Sequence, residues 1–337
     1  MTGGAEFVKY MNEEYIPFVE KHANDSSNII VYAKRGTTGM AGQISGMCDV
    51  LFLSILNDRV FKYYSPGVPP HFFSFPLFNI TYPVKLQSNS VSERMFNRRG
   101  DMNATISHTI EFDNLDFGYV GIFEEGVLNK AYPGSLMISS LHMFAMHTAT
   151  LEVYQPKLRI MFGGIIPNSI LTSDRWYDIC IPSLFQPSEY SLRFLKPYLD
   201  IFKKHKVLGI HVRSGGSTAN WKDGDYFKVT TSVVKKHQPL IHSILRKHPN
   251  MRIFLSTDSD KVEAFVKGIY GKKLIYVKEF PRSHVGKNPS EESLMRSYMD
   301  LYLLGQCDYL LLTRRSGYSR MGRAFNMKKA PIFYFKV

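Results

Sequence analysis

The sequence predicts an α/β protein with parallel, doubly wound sheets, and three observations predict it. From Val207 to the C-terminus, short apolar runs alternate with amphipathic stretches at helical spacing, the order that puts helices over a parallel sheet. Near the N-terminus an apolar run, a glycine-rich turn and a helical periodicity follow one another, which is half of a β-α-β unit. A chain of 337 residues is long for one compact core, so two domains are expected.

In chain order, residues 28–34 (Asn-Ile-Ile-Val-Tyr-Ala-Lys) read as a buried strand. The loop Arg35-Gly-Thr-Thr-Gly39-Met-Ala-Gly42-Gln43 follows, then Ile44, Met47, Val50, Leu51 and Ile55 at helical spacing. Residues 65–135 are rich in Pro, Asn, Ser and Phe and carry short alternating stretches, and a helical pattern returns over 136–160. The aromatic cluster Phe72, Phe73, Phe75, Phe78 and Tyr82 reads as core. Pro182 and Pro187 punctuate the chain before a helix over 189–203. The boundary is placed near 185–200, giving domains 1–190 and 191–337, with the last helix crossing back to the first. A strand at 207–212, a polar loop at 213–226 and one long amphipathic helix at 230–247 come next. They are followed by strand 252–256, helix 261–269, strand 273–277 and helix 290–306 with Ser290 as its cap. Strand 309–312 and loop 313–319 lead into a final helix.

A hydrophobic content of 44% with 21% charged residues describes a folded chain, which excludes a disordered one. The formal charge of +13 calls for an anionic partner or a basic face. Its lysines are scattered in pairs such as Lys203-Lys204, Lys235-Lys236, Lys272-Lys273 and Lys328-Lys329, without a long block or a known nucleic-acid module. Nucleic acid is therefore not the expected partner; a phosphorylated small molecule, or an anionic surface nearby, fits the charge. Cys48, Cys180 and Cys307 are odd in number and in apolar context, which argues against a disulfide framework and for a reducing compartment. No Cys or His spacing suggests zinc, and no metal or cofactor is assigned. No apolar stretch reaches the roughly 20 residues that span a bilayer, and the N-terminus does not read as a signal peptide. A soluble, cytoplasmic protein is expected.

The chemistry gathers at strand ends. Val207-Leu-Gly-Ile-His211-Val-Arg213-Ser-Gly215-Gly216 delivers a histidine and an arginine to the carboxyl end of a strand, the edge where open α/β sheets bind ligands. Arginine offers a fork of donors suited to phosphate, and glycines allow close backbone approach. Ser256-Thr-Asp258 ends the next strand, where Asp258 would accept donors from a purine edge. Arg314-Arg315-Ser316-Gly317-Tyr318-Ser319 opens a helix whose free N–H groups favour an anion. Three such ends on one parallel sheet can converge on one ligand. Against these stand plainer roles: Asp260 as a helix cap, Asp300 as a structural helix residue, Arg314 and Arg315 as solvated loop charges.

This set resembles the fucosyltransferase superfamily of α-1,2-, α-1,6- and protein O-fucosyltransferases and bacterial nodulation enzymes. His211-Val-Arg213-Ser-Gly-Gly216, Ser256-Thr-Asp258 and Ser316-Gly-Tyr318-Ser319 match its three motifs, and Gly39-Met-Ala-Gly42-Gln43 is similar to its N-terminal glycine loop, with Gln in place of Asn. The resemblance is good from about 180 to 325 and thin from 60 to 150. It implies a GT-B fold, two Rossmann-like domains facing a cleft, with the acceptor on the N-terminal side and the nucleotide sugar on the C-terminal side. It further implies metal-independent, inverting transfer of fucose from GDP-L-fucose to a glycan or glycoprotein hydroxyl. Arg213 would hold the β-phosphate, the His211 backbone and Asp258 the guanine, and Ser316, Tyr318 and Ser319 the phosphates, with Gly215, Gly216, Gly317, Gly39, Gly42 and Gln43 also donor-side. A carboxylate follows the first motif in the α-1,6-type enzymes, so Asp223, then Asp225, is the expected base. The soluble reading fits a bacterial or viral member; an excised Golgi lumenal domain is the alternative.

Other readings stay open on the residues. Asp223-Gly-Asp225 and Asp258-Ser-Asp260 have the Asp-x-Asp spacing of metal-dependent GT-A transferases, whose carboxylates hold a cation on the diphosphate. The same phosphate grip serves xylose, rhamnose or mannose donors, and a non-catalytic nucleotide- or glycan-binding relative would share it.

Overall fold

The computed structural model describes residues 3–23, 25–33, 39–65, 67–75, 106–111, 128–129, 132–139, 148–164, 173–215, 229–283 and 289–336. The chain forms two compact units, Met1–Gln186 and Pro187–Val337.

The first unit holds a parallel sheet of β1 (Ile29–Ala33), β2 (Val60–Tyr64), β4 (Ile106–Glu111) and β5 (Ser135–Ser139), in the order β2-β1-β5-β4. β3 (Phe73–Ser74) and β6 (Gln186–Pro187) are two-residue strands outside both large sheets. β1 is buried along its whole length, as an apolar run in a covered parallel sheet must be. Helix Met40–Leu56 follows it, and here the glycine loop is shorter than expected. Gly39 is the N-cap, and its carbonyl accepts from the Gly42 and Gln43 N–H groups at 3.0 and 3.2 Å, so Gly42 and Gln43 sit in the first helical turn. A second difference is β5, a strand where the periodicity predicts helix. Its apolar run is central in the sheet and covered on both faces, so periodicity alone cannot separate it from buried helix. The helical segments begin later, at Glu152–Tyr154 and Gln155–Met161. Phe72 and Phe73 are core, as expected, with Phe73 edge-on to Phe185 at 5.3 Å. Phe78 and Tyr82 lie outside the described residues. All three cysteines are free and buried, and burial pushes the Cys48 thiol up beside that of Cys180.

The second unit holds β7 (Val207–Val212), β8 (Arg252–Thr257), β9 (Leu274–Ile275), β10 (Tyr309–Leu312) and β11 (Ile332–Tyr334), all parallel, in the order β11-β10-β7-β8-β9. The expected long helix is two, Thr231–Lys236 and Gln238–Lys247. Pro239 explains the break: it has no N–H to donate and its ring crowds the carbonyl four residues back, so the helix restarts with proline in its first turn. The strand expected at 273–277 shrinks to the two residues of β9. Helices Glu189–Lys204 and Glu291–Gly305 are capped by Ser188 and Ser290, each accepting from an N–H three residues on. Leu208, Ile210 and Val212 of β7 meet Ile253, Leu255, Ile241 and Val266 in the core. The last helix, Gly317–Ala324, and β11 lie in this unit. Among the described residues, no helix is long and apolar enough to cross a membrane.

Helix Glu291–Gly305 makes one close approach at its C-terminal end. A Cβ on Gly305 would lie 2.6 Å from the Phe325 carbonyl oxygen, a backbone atom that cannot turn aside. Gly305→Ala is expected to destabilise the unit by about 1–3 kcal/mol, read as a lower urea midpoint at unchanged m-value.

Candidate functional site

β7, β8 and β10 end level with one another. His211 pairs with Ser256 and Val212 with Thr257 on one side, while Ile210 pairs with Leu311 on the other. The loops after them therefore open on the carboxyl edge of the sheet. They line a pocket with His211, Arg213, Asp258, Arg296, Asp300 and Tyr318 on its wall.

Thr313 ties two of the ends together. Its hydroxyl accepts from the Arg213 N–H and donates to the His211 carbonyl, both at 2.9 Å. Asp258 fastens the third. One carboxylate oxygen accepts from the Ser214 N–H at 2.8 Å; the other accepts from the Gly215 N–H at 3.0 Å and faces Arg213 Nη1 at 3.2 Å. Gly215 stands at φ 90°, a conformation in which glycine carries no Cβ penalty. Asp258 thus braces the loop that carries Arg213, and its oxygens are already engaged. Asp260 is in an ion pair with Arg282, and the cap of helix Asp260–Tyr270 is Ser259, not Asp260. With Asp258 and Asp260 each against a guanidinium, that Asp-x-Asp pair is not laid out as a cation site. Among the described residues no group of three or more His, Cys, Asp or Glu side chains is placed to hold a metal.

His211 is buried, its ring stacked on Tyr318 at 5.0 Å and its Nδ1 2.6 Å from the Ser319 hydroxyl. Burial, reinforced by Arg213, lowers its pKa from 6.5 to about 3, so the ring is neutral at physiological pH and is no proton shuttle. Between pH 6.5 and about 3 only the unfolded chain protonates this ring, so stability falls as pH falls through that window. His211→Asn is expected to flatten that fall, read as a smaller drop in urea midpoint between pH 7 and pH 5 than in the wild type.

Ser316 caps helix Gly317–Ala324, accepting from the Ser319 N–H at 3.4 Å. Gly317 is the exposed first residue of that helix. The Tyr318 hydroxyl donates to the Ser297 carbonyl at 2.6 Å, so its side chain, like that of Ser319, has a partner within the protein. What this loop leaves for an anion is the start of the helix backbone. Arg314 and Arg315 are exposed, as expected of solvated charges.

Helix Glu291–Gly305 contributes what the sequence did not announce. Asp300, read there as structural, is buried on the pocket wall. Its Oδ2 accepts from Ser256 Oγ at 3.2 Å and Arg296 Nε at 3.4 Å, while Oδ1 has no hydrogen-bond partner. Burial raises its pKa, opposed by the Arg296 and Arg282 guanidiniums. Arg296 Nη1 donates to the Phe280 carbonyl at 3.1 Å, and Nη2 has no partner. A buried polar atom left unpaired costs about 1–3 kcal/mol, so an acceptor on Asp300 and a donor on Arg296, two residues that line the pocket, each lack an offsetting partner. The available signal was the Arg296–Asp300 spacing of four on a helix otherwise rich in apolar residues.

Gly39, Gly42 and Gln43 belong to the first unit, where Gln43 is buried and accepts from the Ser65 hydroxyl. Gly216, Asp223 and Asp225 lie outside the described residues.

No known family's profile matches the chain, and no curated protein matches it. Among solved structures it is similar to a point mutant of Arabidopsis thaliana FUT1 in complex with GDP, at 15% identity and TM-score 0.63 over 99% of this chain and 78% of that one. Two others are the fucosyltransferase NodZ from Bradyrhizobium (16% identity, TM-score 0.44, 88% and 92% covered) and POFUT1 in complex with GDP-fucose (10%, 0.46, 94% and 99%). Two Rossmann-like units in one chain, the fold class its motifs imply, are present, and the chain has the fold of the plant FUT1 structure.

Proposed function

We propose that the second unit binds GDP-L-fucose and that the protein transfers the fucosyl group, with inversion, to a hydroxyl of a glycan or glycoprotein. The observation that carries this reading is the pairing, in one pocket, of an anion grip at Arg213 with an unpartnered buried carboxylate oxygen on Asp300. Guanine presents N–H donors side by side on one edge, and a carboxylate accepts them; uracil offers a single N–H flanked by carbonyls. In this reading the base is read by Asp300, while Asp258, engaged by its own loop, positions Arg213.

In the transfer the acceptor oxygen bonds to the anomeric carbon as the bond from that carbon to the β-phosphate oxygen breaks. The electron pair leaves with GDP. The hydroxyl proton passes to a base, for which Asp223 and then Asp225 remain the candidates. Arg213 and the N-terminal end of helix Gly317–Ala324 offset the charge that grows on the leaving diphosphate. No step calls on a metal, and turnover in EDTA is expected to be unchanged.

Thermal shifts with GDP and UDP test the donor side. At 100-fold excess over its dissociation constant, GDP is expected to stabilise the chain by about 2.7 kcal/mol, visible as a rise of several degrees. An equal rise with UDP refutes the guanine reading.

A further inference from the structure

Strand polarity sorts the charge of the second unit. Its five strands are parallel, so the segments that enter them share the edge opposite the pocket. Lys203, Lys204 and Lys206 lead into β7, and Arg246 and Lys247 lead into β8. Lys272 and Lys273 lead into β9, and Lys328 and Lys329 into β11; all nine cations are exposed. Hydrogen bonds hold these segments side by side. The Arg252 N–H donates to the Lys206 carbonyl at 2.9 Å, Lys273 Nζ to the Pro249 carbonyl at 3.0 Å, and the Asp308 N–H to the Val207 carbonyl at 2.9 Å. Among the described residues of these segments the carboxylates are Asp200 and Asp308, ion-paired with Lys203 at 3.5 Å and Lys328 at 3.2 Å. The edge is therefore strongly positive.

Helix dipoles explain part of this, since Lys203, Lys204, Arg246 and Lys247 stand in last helical turns. They do not explain Lys206, Lys328 and Lys329, which lie outside helices, nor the apolar side chains among them. Ile201, Ile269, Met327 and Ile332 are exposed beside these lysines, Met327 by 65%. Eight of the nine cations are lysines, point charges suited to a diffuse anionic layer rather than to forked recognition of single phosphates. The apolar companions are aliphatic, without the aromatic platforms that stack bases. Cations with interleaved aliphatic tips fit the headgroup boundary of a membrane.

We infer that this edge docks on an anionic lipid bilayer, its lysines at the headgroups and Met327 reaching the acyl boundary. The donor pocket, on the opposite edge of the sheet, then stays open to water and to a charged nucleotide sugar. The inference does not depend on which nucleotide that pocket takes.

Sedimentation of the full chain with phosphatidylcholine vesicles, with and without phosphatidylserine, tests it. Binding is expected only to the anionic vesicles and is lost at high salt. Each lysine at the surface strengthens binding about fivefold, so Lys328→Glu with Lys329→Glu is expected to weaken it about 25-fold or more. The pair Lys235→Glu and Lys236→Glu, with the same charge change within helix Thr231–Lys236, is expected to weaken it less than about fivefold by comparison. Met327→Asp is expected to reduce the binding that persists at moderate salt. Equal binding to neutral vesicles, equal losses in the two lysine pairs, or tighter retention on an oligonucleotide than on vesicles overturns the inference. Melting temperature and the GDP-induced shift, measured on the same variants, separate a folding defect or a failed donor reading from a failed membrane site.

Discussion

Replacing Arg213 by alanine is expected to lower turnover with GDP-L-fucose by about 10²–10³-fold, the effect of removing one preorganised donor from a developing anion. The loss of affinity for intact GDP-L-fucose is expected to be smaller by at least about tenfold, because the guanidinium meets more charge as the diphosphate departs than in the bound donor. The fold should tolerate the change. Asp258 keeps its bonds to the Ser214 and Gly215 N–H groups, and Thr313 grips the backbone of residue 213, not its side chain. Arg213→Lys restores the charge without the fork and is expected to recover only part of the rate. Single-turnover rates set against calorimetric affinities for GDP-L-fucose, measured without acceptor, decide it: equal losses in both would make Arg213 a binding group and favour a non-catalytic or differently organised site.

Asp300→Asn is expected to weaken GDP binding by about 10- to 100-fold, since two donors of the base lose a charged acceptor worth about 1–3 kcal/mol. Inosine diphosphate, which lacks the exocyclic amino group, isolates the contact. Wild-type protein is expected to prefer GDP over it by about tenfold, and Asp300→Asn to lose most of that preference. Because Asp300 also receives Ser256 and Arg296, the melting temperature without ligand is measured alongside. A variant that still prefers GDP returns the base-reading role to another group; Asp258→Asn, which is expected to loosen the Arg213 loop, is the comparison to make.

Much of the second unit is legible in its residues. Apolar runs bounded by polar loops locate β7, β8 and β10 within a residue of their ends, and Ser290 marks a helix start through the oxygen it offers an N–H. Legibility fails where the local pattern is ambiguous or a partner is remote. Ser135–Ser139 is too short and too evenly apolar for its period to show. The start of helix Met40–Leu56 turns on backbone bonds to Gly39, which no side chain announces. Residues 230–247 read as one helix through Pro239 because the apolar face continues on both sides of the break.

The motifs suffice to put His211, Arg213, Asp258 and Ser316–Ser319 at one edge of a parallel sheet, because strand direction and loop order are properties of the chain. They do not say which carboxylate is free. Asp258 follows a strand and reads as a ligand group, yet its oxygens accept from its neighbours' N–H groups; Asp300 reads as helix interior, yet it lines the pocket and one of its oxygens is unpaired. Likewise the lysine pairs look scattered along the chain, and only the parallel sheet gathers three of them, Lys203-Lys204, Lys272-Lys273 and Lys328-Lys329, on one edge. Residue type and order determine which groups can bind. Which of them keeps a lone pair or a charge to offer depends on hydrogen bonds between segments far apart in sequence, and those exist only once the sheet has formed.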